Sequence, residues 1–156
     1  MSPGWRRAAT ALAIGIGMIA GPASAQEPQD VIRAIYTEPN LSFTALRSAG
    51  YFAHDLDAAL KVDSSNPGEV GAVDFDYRYG AQDAEISGLQ FVPEVDGDVA
   101  RVVAVFKNFG KANSVDWTLC RRSNGDWLIA DAASNTGQVE WDLRQMLKLP
   151  PDRIRC

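Results

Sequence analysis

Four polar side chains crowd one short stretch of the chain: Asp74, Asp76, Gln82 and Asp83, with Glu85 just beyond. Carboxylates at this density either hold a cation or cap backbone N–H groups. Asp74 and Glu85 have the separation of the first and last ligands of a calcium loop. Arg78, however, stands where an oxygen ligand belongs, and Tyr79 takes the place of the sharp-turn glycine. Capping of the loop backbone is therefore the first expectation for these residues. A ligand role, including a metal-dependent one at Asp74, Asp76 and Asp83, is the second. Asp131 is a further candidate ligand-binding residue. It lies in a run, Trp127 to Ala132, that reads as a strand. Strict alternation puts it on the face of Trp127 and Ile129, where a carboxylate is either hydrogen-bonded or functional. His54, beside Asp55 and Asp57, is the single histidine. It could serve as a general base, but it reads as a rim residue. With one His and no Cys nearby, no zinc site can be assembled locally. There is no Gly-rich phosphate loop, nucleophile elbow or Ser/His/Asp order, so the sequence assigns no catalytic residue, metal or cofactor.

The chain that must position these groups has 156 residues, 46% apolar and 22% charged, which is ordinary for a folded soluble protein. Fourteen aromatic residues, spread along the chain, exclude a disordered tail. The 15 Lys and Arg against 20 Asp and Glu argue against a nucleic-acid partner, because backbone phosphates need a basic surface. Met1 to Ala25 reads as an export signal. Arg6 and Arg7 precede an apolar run from Ala8 to Ala20, Pro22 breaks it, and Ala23-Ser24-Ala25 offers a cleavage site before Gln26. The apolar run is short of the ~20 residues a membrane span needs. Cleavage thus predicts a periplasmic or secreted protein, with no stable membrane insertion, formed by a single domain over residues 26–156. Losing Arg6 and Arg7 takes the formal charge from −5 to −7.

Apolar spacing predicts a helix from Pro28 to about Glu38, a short helical turn at Ser42 to Arg47, and a second helix from about Ala49 to Val62. From Ile86 the period changes to two. Four strands follow: Ile86 to Val95, Val99 to Phe109, Ser114 to Arg122 and Trp127 to Ala132. Turns fall at Asp96-Gly97, Gly110 to Asn113 and Asn124-Gly125. The second strand is apolar on both faces, which predicts cover on each side. A last helix is expected at Val139 to Leu147, ended by Pro150-Pro151. Helices, then an antiparallel meander, then a helix make an α+β fold. Trp117, Trp127 and Trp141 read as core or rim packing.

Several segments resemble the domain of unknown function 3828 family. They are Gly71 to Asp76 followed by Gln82-Asp83, Val103 to Gly110, Leu119 to Arg122, Gly125 to Asp131, and Asp142 to Leu147. The order of these motifs, over most of the chain after Ala25, carries the resemblance; Tyr77 departs from it where family members often have Pro. The resemblance implies a small envelope protein of Gram-negative bacteria. It also implies a nuclear transport factor 2-like fold, with helices packed into a curved antiparallel four-stranded meander. No catalytic residue comes with the family. Cone-shaped folds of this type often hold a small molecule, and some pair an Asp with a Tyr for enolising chemistry. Asp116 or Asp131, with Tyr36, Tyr51, Tyr77 or Tyr79, are the residues such a site would draw on.

Cys120 and Cys156 are the only cysteines. An even count in an oxidising compartment points to an intramolecular bridge, with free thiols or an intermolecular bond as alternatives. The leading expectation is a non-catalytic binding module, an inhibitor or immunity-type protein being one version of it, facing an envelope protein or a small molecule. The alternative is a small-molecule enzyme built on an Asp/Tyr pair.

Overall fold

The computed structural model describes residues 26–38, 50–65, 68, 70–137 and 139–156. The export signal expected at Met1 to Ala25 and the helical turn expected at Ser42 to Arg47 lie outside them. The architecture is α+β: a five-stranded antiparallel sheet in the order β1-β2-β3-β4-β5, with helices before and after it.

Helix α1 (Pro28–Thr37) starts on a proline whose missing N–H costs nothing in a first turn. Val31, Ile32 and Ile35 recur on one stripe and are buried against the sheet. Helix α2 (His54–Asp63) is shorter than the apolar spacing predicts. Gly50 adopts a left-handed conformation, and the next residues are extended rather than helical. Phe52 forms a parallel bridge with Ile129: the Ala53 N–H donates to Ile129 O and the Ile129 N–H to Tyr51 O, each at 2.8 Å. Pairing with a strand edge satisfies backbone groups that a helix would otherwise hold.

The strands are β1 (Ile86–Asp96), β2 (Val99–Asn108), β3 (Lys111–Arg121), β4 (Trp127–Ser134) and the two-residue β5 (Trp141–Asp142). Two elements correct the sequence reading. The β2–β3 connection is a tight turn at Phe109-Gly110 rather than a loop reaching Asn113. The final helix, α3, is only Leu143–Met146. Trp141 is drawn into the sheet opposite Ser134 and packs on Phe75, while the Asp142 carboxylate caps the Gln145 N–H at 2.8 Å. Val139, expected on the buried helix face, is exposed. The edge strand β1 carries Pro93 opposite Val102. Counted from the two-residue turn at Gly97-Asp98, the Pro93 nitrogen points away from β2, so the open edge lacks a donor at its middle. Such an edge resists pairing with another chain.

One face of the sheet, called inner here, carries the core. Ala100, Val102, Ala104 and Phe106 of β2, Val115, Trp117 and Leu119 of β3, and Ile129 and Ala132 of β4 are buried there with α1, Leu56, Leu60, Val73 and Tyr77. The other face of β2 is more open than the sequence predicts: Val105 is 40% exposed and Val103 only half-buried. Among the described residues no helix covers that part of the sheet. A small second cluster, Ala53, Cys120 and Ala130 with Leu128 and Ile154, seals the outer face at one end.

Gly80 closes the turn that leads to the sheet. It has φ of 65°, and a Cβ there would sit 2.8 Å from the Trp141 indole nitrogen. Gly80→Ala is expected to cost about 1–3 kcal/mol, from left-handed strain plus displacement of the indole. Chemical denaturation checks this, and Gly97→Ala, with open space around it, is expected to show the strain alone.

Candidate functional site

The residues singled out by sequence have different surroundings: Asp76 is drawn into an ion pair, Asp131 is hydrogen-bonded on β4, and Asp74, Gln82 and Asp83 are exposed. Asp76 is turned inward on its own loop. Its carboxylate accepts from Arg78 Nε and Nη2, at 2.6–3.1 Å, and from the Arg78 backbone N–H at 3.0 Å. Arg78 is buried and also donates to Ile35 O at the end of α1. Burial alone would lower the pKa of the guanidinium, but the Asp76 hydrogen bonds and charge outweigh it and hold Arg78 above its ordinary value. The expectation that Asp76 caps a loop N–H therefore holds, and its remaining lone pairs serve an ion pair that the sequence reading did not foresee. Asp74 is exposed, as are Gln82 and Asp83. Among the described residues no group of three His, Cys, Asp or Glu side chains is placed to hold a metal ion.

Tyr36 lies at the centre of the inner face. Its hydroxyl donates to Arg78 O and accepts from the Trp117 indole N–H at 3.4 Å. Burial pushes its phenol far above the ordinary range. Edge-on contacts link it to Tyr79, Phe91 and Trp117, and Tyr77 packs in turn on Trp117 and Phe52. The space an enclosed substrate would need is filled by rings at 5.6–6.3 Å between centroids.

Asp131 is on the other side of the sheet. Strict alternation fails because β4 carries one extra residue: Leu119 pairs with Ile129, but Thr118 pairs with Asp131, leaving Ala130 as a bulge. Past the bulge every side chain changes face. Asp131 thus shares the outer face with Asp116 and Asp142, while Tyr36, Tyr77 and Tyr79 pack with the inner core. An Asp131/Tyr pair cannot converge through the sheet. One Asp131 oxygen, Oδ1, accepts from the Ala132 N–H at 2.8 Å and the Arg144 N–H at 3.2 Å. Partial burial, aided by the Asp142 charge, raises its pKa from 3.8 to about 6.

That shift has a pH signature. Between about pH 4 and 6 the folded chain keeps a proton that the unfolded chain has lost, so Asp131 makes stability fall as pH rises through this window. Asp131→Asn preserves the accepting oxygen and removes the charge. It is expected to stabilise by roughly 1 kcal/mol near pH 8, the ~3 kcal/mol ceiling being reduced by solvent access, and to have no effect near pH 4. Melting curves of both proteins at the two pH values check this.

One surface site combines a residue singled out by sequence with groups that the fold has not otherwise used. The turn containing Gly80, Ala81 and Asp83, the β2–β3 hairpin, and Thr136, Gly137 and Val139 line a groove of about 510 Å³. Its base is ordered. Asn108 Oδ1 accepts from the Glu85 N–H at 2.9 Å, and the Phe109 N–H donates to Glu85 O at 3.0 Å. Asn113 Nδ2 donates to Tyr79 O at 3.2 Å, and Thr136 Oγ1 donates to Asn113 Oδ1 at 3.0 Å. Asp83 and Lys111 line the same groove, and neither has an ion-pair partner among the described residues. Phe109, 58% exposed, and Val139, 71% exposed, add apolar surface. Of these, sequence reasoning found only Asp83. Gly110 was the available signal for the hairpin tip, since a two-residue turn of this kind takes Gly in the second place. His54, exposed at the start of α2, lies on a different groove with Val62 and Met146.

The C-terminal segment is fastened to the domain. Cys120 and Cys156 are disulfide-bonded, as the cysteine count led one to expect. Arg144 of α3 is 2% exposed. It donates to Ala130 O, Pro150 O and Arg153 O at 2.7–3.2 Å, and to Asp55 Oδ2 at 2.8 Å. Compared with known protein families, curated proteins and solved structures, the chain matches none.

Proposed function

We infer that the chain is an exported, non-catalytic binding module of the periplasm or the extracellular space, and that the groove at Asp83 and Lys111 is its binding surface. One observation carries this reading: the inner face is filled by aromatic rings and the buried charges are spent on internal ion pairs, whereas the groove keeps charges of both signs unpaired above a hydrogen-bonded base. A preformed, partly apolar groove with a few converging polar groups is the usual shape of a ligand site. The disulfide suits an oxidising compartment, in line with the leader at Met1 to Ala25. The resemblance to the domain of unknown function 3828 family, with its nuclear transport factor 2-like arrangement, supports the same assignment to the envelope. Cleavage before Gln26 is part of this reading, and an intact mass of the exported protein beginning at Gln26 tests it.

The functional test compares the exported protein with the double variant Asp83→Lys, Lys111→Glu after incubation in envelope extract. Mass spectrometry of retained compounds and proteins is expected to find at least one species enriched about tenfold on the wild type, the equivalent of a single lost charge-assisted contact. Identical retained sets would overturn the assignment.

A further inference from the structure

Building on that reading, we propose that the groove takes a zwitterion with an apolar side chain, a free amino acid or a short peptide, with Lys111 receiving its carboxylate and Asp83 its ammonium.

Three observations carry the proposal. First, the groove presents one ammonium and one carboxylate, each without an ion-pair partner among the described residues. A ligand of one sign would leave one of them facing a like charge; a ligand carrying both signs satisfies the two together. Second, Phe109 has φ of 47° and Gly110 of 75°. A two-residue turn with both φ values positive favours Asn in the first place, and a bulky residue there is strained. The large ring is 58% exposed at the groove wall, which Val139 also lines. Strained backbone held by its surroundings is a feature of ligand clamps. The surroundings are present: the Phe109 N–H is tied to Glu85 O, and Asn108 Oδ1 holds the Glu85 N–H. Third, Thr136 donates to Asn113 and Asn113 donates in turn to Tyr79 O, so the base of the groove is set before a ligand arrives. The volume, about 510 Å³, suits one to three residues rather than a folded partner.

The experiment is calorimetry and amide chemical-shift mapping on the purified exported protein. The probes are leucine, leucyl-leucine, N-acetyl-leucine and leucinamide. Leucine or leucyl-leucine is expected to bind with Kd between roughly 10 μM and 1 mM, shifting the amides of Asp83, Phe109 and Lys111. The tighter of the two identifies the source as amino acid or peptide. N-acetylation and amidation are each expected to weaken binding about tenfold or more. Asp83→Asn should abolish discrimination against the N-acetyl form, and Lys111→Met that against the amide. Lys107→Met, on the outer face and away from the groove, should change neither. Phe109→Asn is the decisive variant, because it relieves the turn: it is expected to melt a few degrees higher than wild type and yet to bind about tenfold more weakly. Absence of groove shifts with every probe, or binding indifferent to Asp83→Asn and Lys111→Met, would overturn the ligand class. If envelope extract then still shifts the groove amides, the binding-module reading stands without the zwitterion; if it does not, both fall.

Discussion

Arg144→Met is expected to destabilise the protein by about 3–5 kcal/mol, a large share of the 5–15 kcal/mol typical of a domain. The guanidinium is 2% exposed, and its removal leaves the Asp55 carboxylate, 13% exposed, without its counter-charge. It also removes the donor to three carbonyls, Ala130 O, Pro150 O and Arg153 O, two of which belong to the C-terminal segment. Methionine keeps much of the volume, so the loss reports polar satisfaction rather than a cavity. Urea denaturation measures it. Asp55→Asn combined with Arg144→Met is expected to cost less than the two single changes added together, because each single change strands the other partner. The pair also has a pH dependence opposite to that of Asp131. Burial would raise the Asp55 pKa, but the Arg144 hydrogen bond and charge outweigh it and hold the carboxyl below its ordinary value. This contribution is full above the unfolded carboxylate pKa, near 4, and is lost as pH falls through the lower folded value. A loss below about 1 kcal/mol for Arg144→Met would show that the ion pair is effectively solvated.

Reduction of the Cys120–Cys156 bond is expected to cost about 4 kcal/mol and to lower Tm by roughly 10–15 °C. The bridge closes a loop across 36 positions and joins the last residue to β3. It also covers Ala53, Ala130 and Leu128, which pack beside Cys120. Calorimetry with and without reductant, and of Cys120→Ser with Cys156→Ser, measures the effect. The bond and Arg144 fasten the same segment, so the two losses are expected to be non-additive. In the reduced protein the Arg144→Met change should release Arg153 to Cys156, seen as rapid exchange of the His54 amide that now donates to Arg155 O at 3.0 Å. An unchanged Tm on reduction would mean that Arg144 alone fastens the segment.

The strands were legible because alternation and the Asp96-Gly97 and Asn124-Gly125 signals are local, and the ladder followed them closely. The disulfide was legible from the even cysteine count and the oxidising compartment expected for the chain. What was lost was set by single residues with long-range consequences. Ala130 looks like any other strand residue, yet as a bulge it moves Asp131 from the inner face to the outer one. Gly50 and the pairing of Phe52 with Ile129 shorten α2, and nothing within the helix itself announces a strand edge waiting for it. Nothing local marks Arg144 for burial, because its partners are distant in sequence: Asp55 is 89 positions away. For the groove, Asp83 was visible as part of an acidic run. Lys111, Asn113 and Thr136 were not, since three separate segments converge there only after the hairpin folds.

The proposed function requires binding at the rim of the sheet and not inside it. Amide chemical-shift mapping of the labelled protein, titrated with the low-molecular-weight fraction of envelope extract, separates the two. Rim binding is expected to shift only the turn at Gly80 to Asp83, the hairpin tip at Phe109 to Asn113, and Thr136, Gly137 and Val139, with the amides of Tyr36, Tyr77 and Trp117 unmoved. Shifts centred on Tyr36, Tyr77 and Trp117, with the groove silent, would contradict it.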